Sequence, residues 1–189
     1  SGMDLTGTNL SNVDLSGMDL TGTNLSLSDL TQTDFSGSNL KLAKMANSNL
    51  MYTDFSDSNL LLCSLSESDL IQTKLPTDIL RMNFNQSEFH SVDFSNKIIQ
   101  GTTFGKSNFT NTSFENTIGN PMILELTISD LSILDLPVDE FMLKVYGSTP
   151  ATEVEITEYE NYLIVKSIMY NDFSLTDLES ANFKNSNFS

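Results

Sequence analysis

The chain has 189 residues, enough for one domain with a packed core, and carries 9 Lys+Arg against 25 Asp+Glu, a formal net charge of −16. That charge argues against direct nucleic-acid binding, which needs a basic surface. A single cysteine, Cys63, rules out an internal disulfide, and with a single histidine it makes a His/Cys metal site improbable; no apolar run is long enough to span a membrane.

From the first residues the chain repeats itself. In "MDLTGTNLSNVDLSGMDLTGTNLS" a leucine falls on every fifth residue, Asp or Asn precedes it, and Ser or Thr follows. We call the large apolar residue the centre. Centres are read without interruption from Leu5 to Leu80; one residue is then lost, and the beat resumes at Phe84, Phe89, Phe94, Ile99, Phe104, Phe109 and Phe114. It returns at Phe173, Leu178, Phe183 and Phe188. Two residues before most centres stands a small residue, such as Thr23, Ala43, Cys63 or Thr73.

A helix cannot keep such a period on one face, because every fifth residue drifts around its axis. Residues two apart on a strand do share a face, so centre and small residue point inward together. Four short sides joined by tight corners close a square coil of about 20 residues, and successive coils stack as parallel ladders about 4.8 Å apart. The expected interior columns begin Leu5, Leu25, Met45; Leu10, Leu30, Leu50; Leu15, Phe35, Phe55; and Leu20, Leu40, Leu60, the fourth continuing through Leu80 to Ile99. Leucine gives way to phenylalanine from residue 84.

The string "GTNLSNVDLSGMDLTGTNLSLSDLTQTDFSGSNL" resembles the pentapeptide-repeat proteins, whose consensus is A(D/N)LXX. It departs at the alanine position, here usually Ser or Thr. The resemblance covers residues 3–118 and 171–189 and implies an all-β solenoid, a right-handed quadrilateral β-helix. The expected organisation is a β-helix over 1–118, a loop and degenerate coil over 119–136, a helical insertion over 137–170 and a resumed coil over 171–189. Gly119, Asn120 and Pro121 mark the break. "LPVDEFMLKVYG" reads either as a short helix or as a further coil centred on Phe141. "TEYENYLIVKSIMYN" reads as a helix opened by a capping box from Thr157 to Glu160 and packed on the outside or end of the β-helix, or on a partner.

Nothing in the pattern assembles a catalytic site. The stacked acids Asp14, Asp34 and Asp54, followed by Lys74, belong to the repeat's own grammar. His90 follows centre Phe89 and is expected in solvent, and Cys63 is expected in the core. No catalytic, metal or cofactor site is assigned, and the chain is read as non-enzymatic.

The residues that break the grammar are more informative. Met51, Tyr52 and Ile71 are apolar at outward positions of one corner; Leu42, Leu61 and Leu62 are apolar at the diagonal corner. Contiguous exposed apolar surface marks an interface, so these six are the candidate partner-binding residues. One of the two corners is expected to be covered by residues 137–170 and the other left for a partner.

Three functions are weighed. The first is a protein–protein interaction scaffold, whose Ala-poor repeats look like the β-helix regions of secreted bacterial effectors; some of these precede a ubiquitin-ligase domain. The resemblance also brings in an acidic DNA mimic that engages DNA gyrase, as quinolone-resistance pentapeptide proteins do. Against it, residues 81–118 hold three acids and three bases, so the rod's middle is neutral. An enzyme has no supporting constellation. The chain stops in mid-pattern, so a longer parent protein is expected, acting in a bacterial cytoplasm or secreted into a host cell. Uncapped β-helix ends predict end-to-end homo-oligomers or an adjoining domain.

Overall fold

The computed structural model describes residues 1–119, the backbone of 122–123, 154–159 and 162–169, and Lys184 and Ser186. Residues 1–119 wind into stacked four-sided coils, a right-handed quadrilateral β-helix.

Each five-residue unit explains itself locally. The Asp or Asn before a centre forms a parallel bridge to its counterpart one coil on, as in Asp4↔Asn24, Asp14↔Asp34 and Asp34↔Asp54. Its side chain folds forward to take the backbone N–H of the first corner residue: Asp29 Oδ1 accepts from Thr31 N at 3.1 Å and from Thr31 Oγ1 at 2.6 Å. The corner closes with a bond back to the centre, as from Thr33 N to the Leu30 carbonyl at 3.0 Å. The second corner residue has positive φ, whether it is Gly (Gly37, 63°), Asn (Asn47, 57°) or a bulkier residue (Tyr52, 61°). Three longer parallel strands lie on one side of the square: β1 (Asp69–Ile71), β2 (Glu88–His90) and β3 (Asn108–Thr110).

The small inward position accounts for the missing alanine. In several coils its hydroxyl donates to a centre carbonyl in the previous coil: Thr33 to Leu10 at 2.8 Å, Thr53 to Leu30 at 2.8 Å, Ser48 to Leu25 at 3.0 Å and Thr117 to Phe94 at 2.8 Å, whereas the buried hydroxyls of Thr23 and Ser38 have no such partner. A buried hydroxyl with a partner costs little, and each such bond ties two coils together.

Inside, the centres are fully buried from Leu20 onward, and each buries apolar surface worth about 1.5–3 kcal/mol. The phenylalanine half stacks ring on ring within a column: Phe89 on Phe109 at 4.6 Å between centroids, Phe94 on Phe114 at 4.7 Å. Edge-to-face contacts join neighbouring columns, as in Phe84–Phe89 at 5.3 Å.

The structure corrects the sequence reading in two places. The fourth column runs Leu20, Leu40, Leu60, Ile79, Ile99; Ile79 N donates to the Ile98 carbonyl at 2.7 Å. Leu80, expected in that column, is half-buried at the corner outside it. The lost residue therefore falls between Leu75 and Ile79, where Pro76 has no N–H to give to a ladder. The second correction concerns the helix expected over 157–171, within the insertion at 137–170. Val154–Tyr159 (β5) and Tyr162–Met169 (β6) form an antiparallel hairpin, and β6 also pairs with Met122–Ile123 (β4), giving the order β4-β6-β5. Thr157, read as a helix cap, lies within β5. Val154, Ile156, Ile164, Val165 and Ile168 are β-branched, stiff at χ1 and better suited to a strand than to a helix. The rest of the expected degenerate coil and of the 137–153 segment lies outside the described residues.

After the break the coil register returns. Asn116 N donates to the Lys184 carbonyl at 2.9 Å, as Asn96 N does to Glu115 one coil earlier. The Ser186 hydroxyl reaches the Phe114 carbonyl across 72 residues of sequence, the bond that Thr117 makes to Phe94 across 23. These bonds place Lys184 and Ser186 one coil on from the positions of Glu115 and Thr117.

Candidate partner-binding surface

The two apolar corners have different fates. At the first, Tyr52 is 45% exposed, with Met51 and Ile71 half-buried beside it. At the diagonal corner Leu42 and Leu62 are only 2% and 3% exposed, and Leu61 is half-buried. Leu42 and Leu62, expected outward and available, are therefore closed off within the chain itself. Leu27 escaped the sequence reading; it is a corner leucine 64% exposed, and its signal was the same one, an apolar residue where the repeat puts Gly or Asn. Met3 and Met18 are exposed in the first coil, whose Leu5, Leu10 and Leu15 are partly buried.

The open corner is bordered by carboxylates. On one flank the ladder runs Asp29, Asn49, Asp69, Glu88; on the other, Asp14, Asp34, Asp54, Lys74. Lys74 Nζ meets Asp54 Oδ2 at 2.6 Å. Partial burial works against the Asp54 charge, but the bonds from Lys74 and Ser56 outweigh it and hold the carboxyl below its usual range; the same contact raises Lys74. Asp29 is lowered by its bonds from the Thr31 hydroxyl and N–H. Lys74 is the one ammonium in the two ladders. His90 is exposed on the same side, at the end of β2.

Nothing else among the described residues gathers chemistry. Cys63 is fully buried, and desolvation lifts its thiol far out of reach of ionisation. No group of His, Cys, Asp or Glu among the described residues is placed to hold a metal ion, and no described helix is long and apolar enough to cross a membrane.

The family model for pentapeptide repeats matches residues 1–26 and 28–65 in eight copies. Over those residues the chain carries pentapeptide repeats. No curated protein matches it. Among solved structures, this chain is similar to a pentapeptide repeat protein from the Arabidopsis thaliana thylakoid lumen, at 20% identity over 59% of this chain and 65% of that one, with a TM-score of 0.41. It is similar to a trypsin-treated form of QnrB1, a plasmid-mediated fluoroquinolone resistance protein, at 16% identity over 64% of this chain and 66% of that one, with a TM-score of 0.39. HetL, involved in heterocyst differentiation regulation in the cyanobacterium Nostoc sp. strain PCC 7120, aligns at 15% identity over 97% of this chain and 84% of that one, with a TM-score of 0.25. The match thus spans just under two thirds of the first two proteins' lengths.

Proposed function

We propose that this pentapeptide-repeat chain is a non-enzymatic protein–protein interaction module. In this reading it is a stiff rod whose corner Met51–Tyr52–Ile71 receives a partner protein. The observation that carries the reading is Tyr52: a large side chain 45% exposed on a backbone at φ 61°, where Gly or Asn is cheaper, and flanked by acids on both sides. An apolar corner between carboxylate ladders fits a segment with one apolar side chain set among Arg or Lys. The Ser/Thr-rich repeats support a bacterial effector-like origin, with the rod positioning a substrate for a catalytic domain, such as a ubiquitin ligase, elsewhere in a longer protein. End-on contact through Met3 and Met18 belongs to the same reading.

The DNA-mimic alternative draws on the Asp14–Asp34–Asp54 ladder, but that ladder ends at Lys74, which neutralises its last member. Peptide display against the purified chain separates the two. We expect enrichment of basic peptides bearing one large apolar residue, lost in the Tyr52→Ser/Ile71→Ser variant, and no effect on gyrase supercoiling. Gyrase inhibition that survives the double substitution would favour the mimic.

A further inference from the structure

The second corner residue is exposed in every coil at two corners of the square: Leu27, Asn47 and Glu67 at one, Gly37, Asp57 and Asn96 at another. At the corner of Leu42 it is buried in four consecutive coils, as Leu42, Leu62, Arg81 and Gly101. The cover spreads onto the adjoining side, where Thr103 is 1% exposed although its position points outward. Residues 1–119 are all engaged in coils, so none of them is available to lie across this edge.

We propose that the antiparallel sheet β4-β6-β5 docks along this corner as an intramolecular ligand and is what buries Leu42, Leu62 and Arg81. Its topology suits the task. The sheet lies in the chain between Asn116 and Lys184, and the pairs Met122↔Met169 and Ile123↔Ile168 join β4 to β6. Gly119, which precedes the sheet in the chain, is itself buried. The chemistry matches as well. Pairing register sets Val154, Ile156 and Glu158 opposite Ser167, Val165 and Leu163, so alternation places four apolar residues and one carboxylate at positions of a single face. The corner offers two leucines and a guanidinium, with Lys41 at its edge. Residues 119–170 contain nine acids and two bases, the opposite sign to Lys41 and Arg81. The Leu42 corner is thus an internal docking surface for an acidic, apolar β-hairpin, distinct from the open Tyr52 corner.

Thiol labelling tests this in the full chain, because the native thiol is buried. In a Cys63→Ala background, Leu62→Cys is expected to react with N-ethylmaleimide at least about tenfold more slowly than Tyr52→Cys, as a side chain reached only through local opening should. Replacing residues 124–167 by a short Gly/Ser link should bring the two rates together while the coil circular dichroism persists. Equal rates in the full chain overturn the proposal, as does protection that persists in the shortened, folded variant. Should the shortened variant not fold, carbodiimide coupling of the full chain decides: Lys41 joined to Glu158 supports the docking, and Glu158 joined instead to Lys74 or Lys106 overturns it.

Discussion

The Lys97 ammonium donates a hydrogen bond of 2.9 Å to the main-chain carbonyl of Leu75, 22 residues earlier. Lys97 stands where other coils place a small hydroxyl residue; Thr73 and Thr117 bond the matching carbonyls of Leu50 and Phe94. The side that begins at Leu75 is one residue short, and a long side chain spans a gap that threonine would not. Desolvation lowers the Lys97 pKa, with Asp93 pulling the other way.

Lys97→Met is expected to cost about 1–2 kcal/mol, read as a lower urea midpoint at neutral pH, because it strands a carbonyl at the defect. The pH dependence has a definite sign. With the folded pKa below 10.5, the unfolded chain holds its proton more tightly just under that value. Wild-type stability therefore gains from Lys97 as pH rises toward 10.5. That increment is expected to vanish in the Met variant, in paired urea titrations stepped through the alkaline range.

Leu27 and Leu62 share a backbone conformation, φ 62° and 61°, but not an environment. Leu27→Gly removes the cost of a left-handed leucine and loses little burial, so it should lie between neutral and about 1 kcal/mol stabilising. Leu62→Gly relieves the same strain but empties a buried site, with a net loss of about 2–3 kcal/mol. Thermal melts of the two variants should move in different directions; equal shifts would show that burial does not separate these corners.

At the shortened side, Ile79→Ala should cost about 2–4 kcal/mol, and Leu80→Ala less than about 1.5 kcal/mol. Reversed magnitudes in denaturant titrations would restore Leu80 to the column and move the defect one side later.

The aspartates before the centres set the acid limit. Asp4, Asp14, Asp19 and Asp29 are all held below 3.8, each first by a bond from the hydroxyl two residues on and next by the N–H of the same residue. For a carboxylate with a lowered folded pKa, the stabilisation is present above 3.8 and is lost as pH falls through the folded value. Asparagine offers the same acceptor without titrating, as Asn9 shows by accepting from Ser11 N at 2.9 Å. Replacing the four aspartates by Asn should leave the neutral-pH melt nearly unchanged and flatten its fall below pH 3.8. A variant that loses stability at pH 7 would mean that the charge, and not the acceptor, sustains the turn.

Much of the rod was legible from particular residues. Leu25, Met45 and Leu65 stack as the five-residue spacing requires, Cys63 is core, and His90 faces solvent. The slip at Ile79 was harder to see, because "DILRM" offers two adjacent aliphatics and a beat counted from Leu75 falls on the wrong one. The hairpin was missed because "YLIVKSIM" is apolar nearly throughout, and such a run has no period to separate strand from helix.

The sequence by itself determined the solenoid. A repeat states its inward positions, its Asx turns and its left-handed corners many times over, and those are local rules that each coil obeys alone. Only the tertiary structure decided which outward apolar residues stay outside. Leu62 and Tyr52 look alike in the repeat, each an apolar second corner residue, yet one is sealed and the other open. That difference is set by contacts between residues far apart in the chain, and no five-residue pattern contains them.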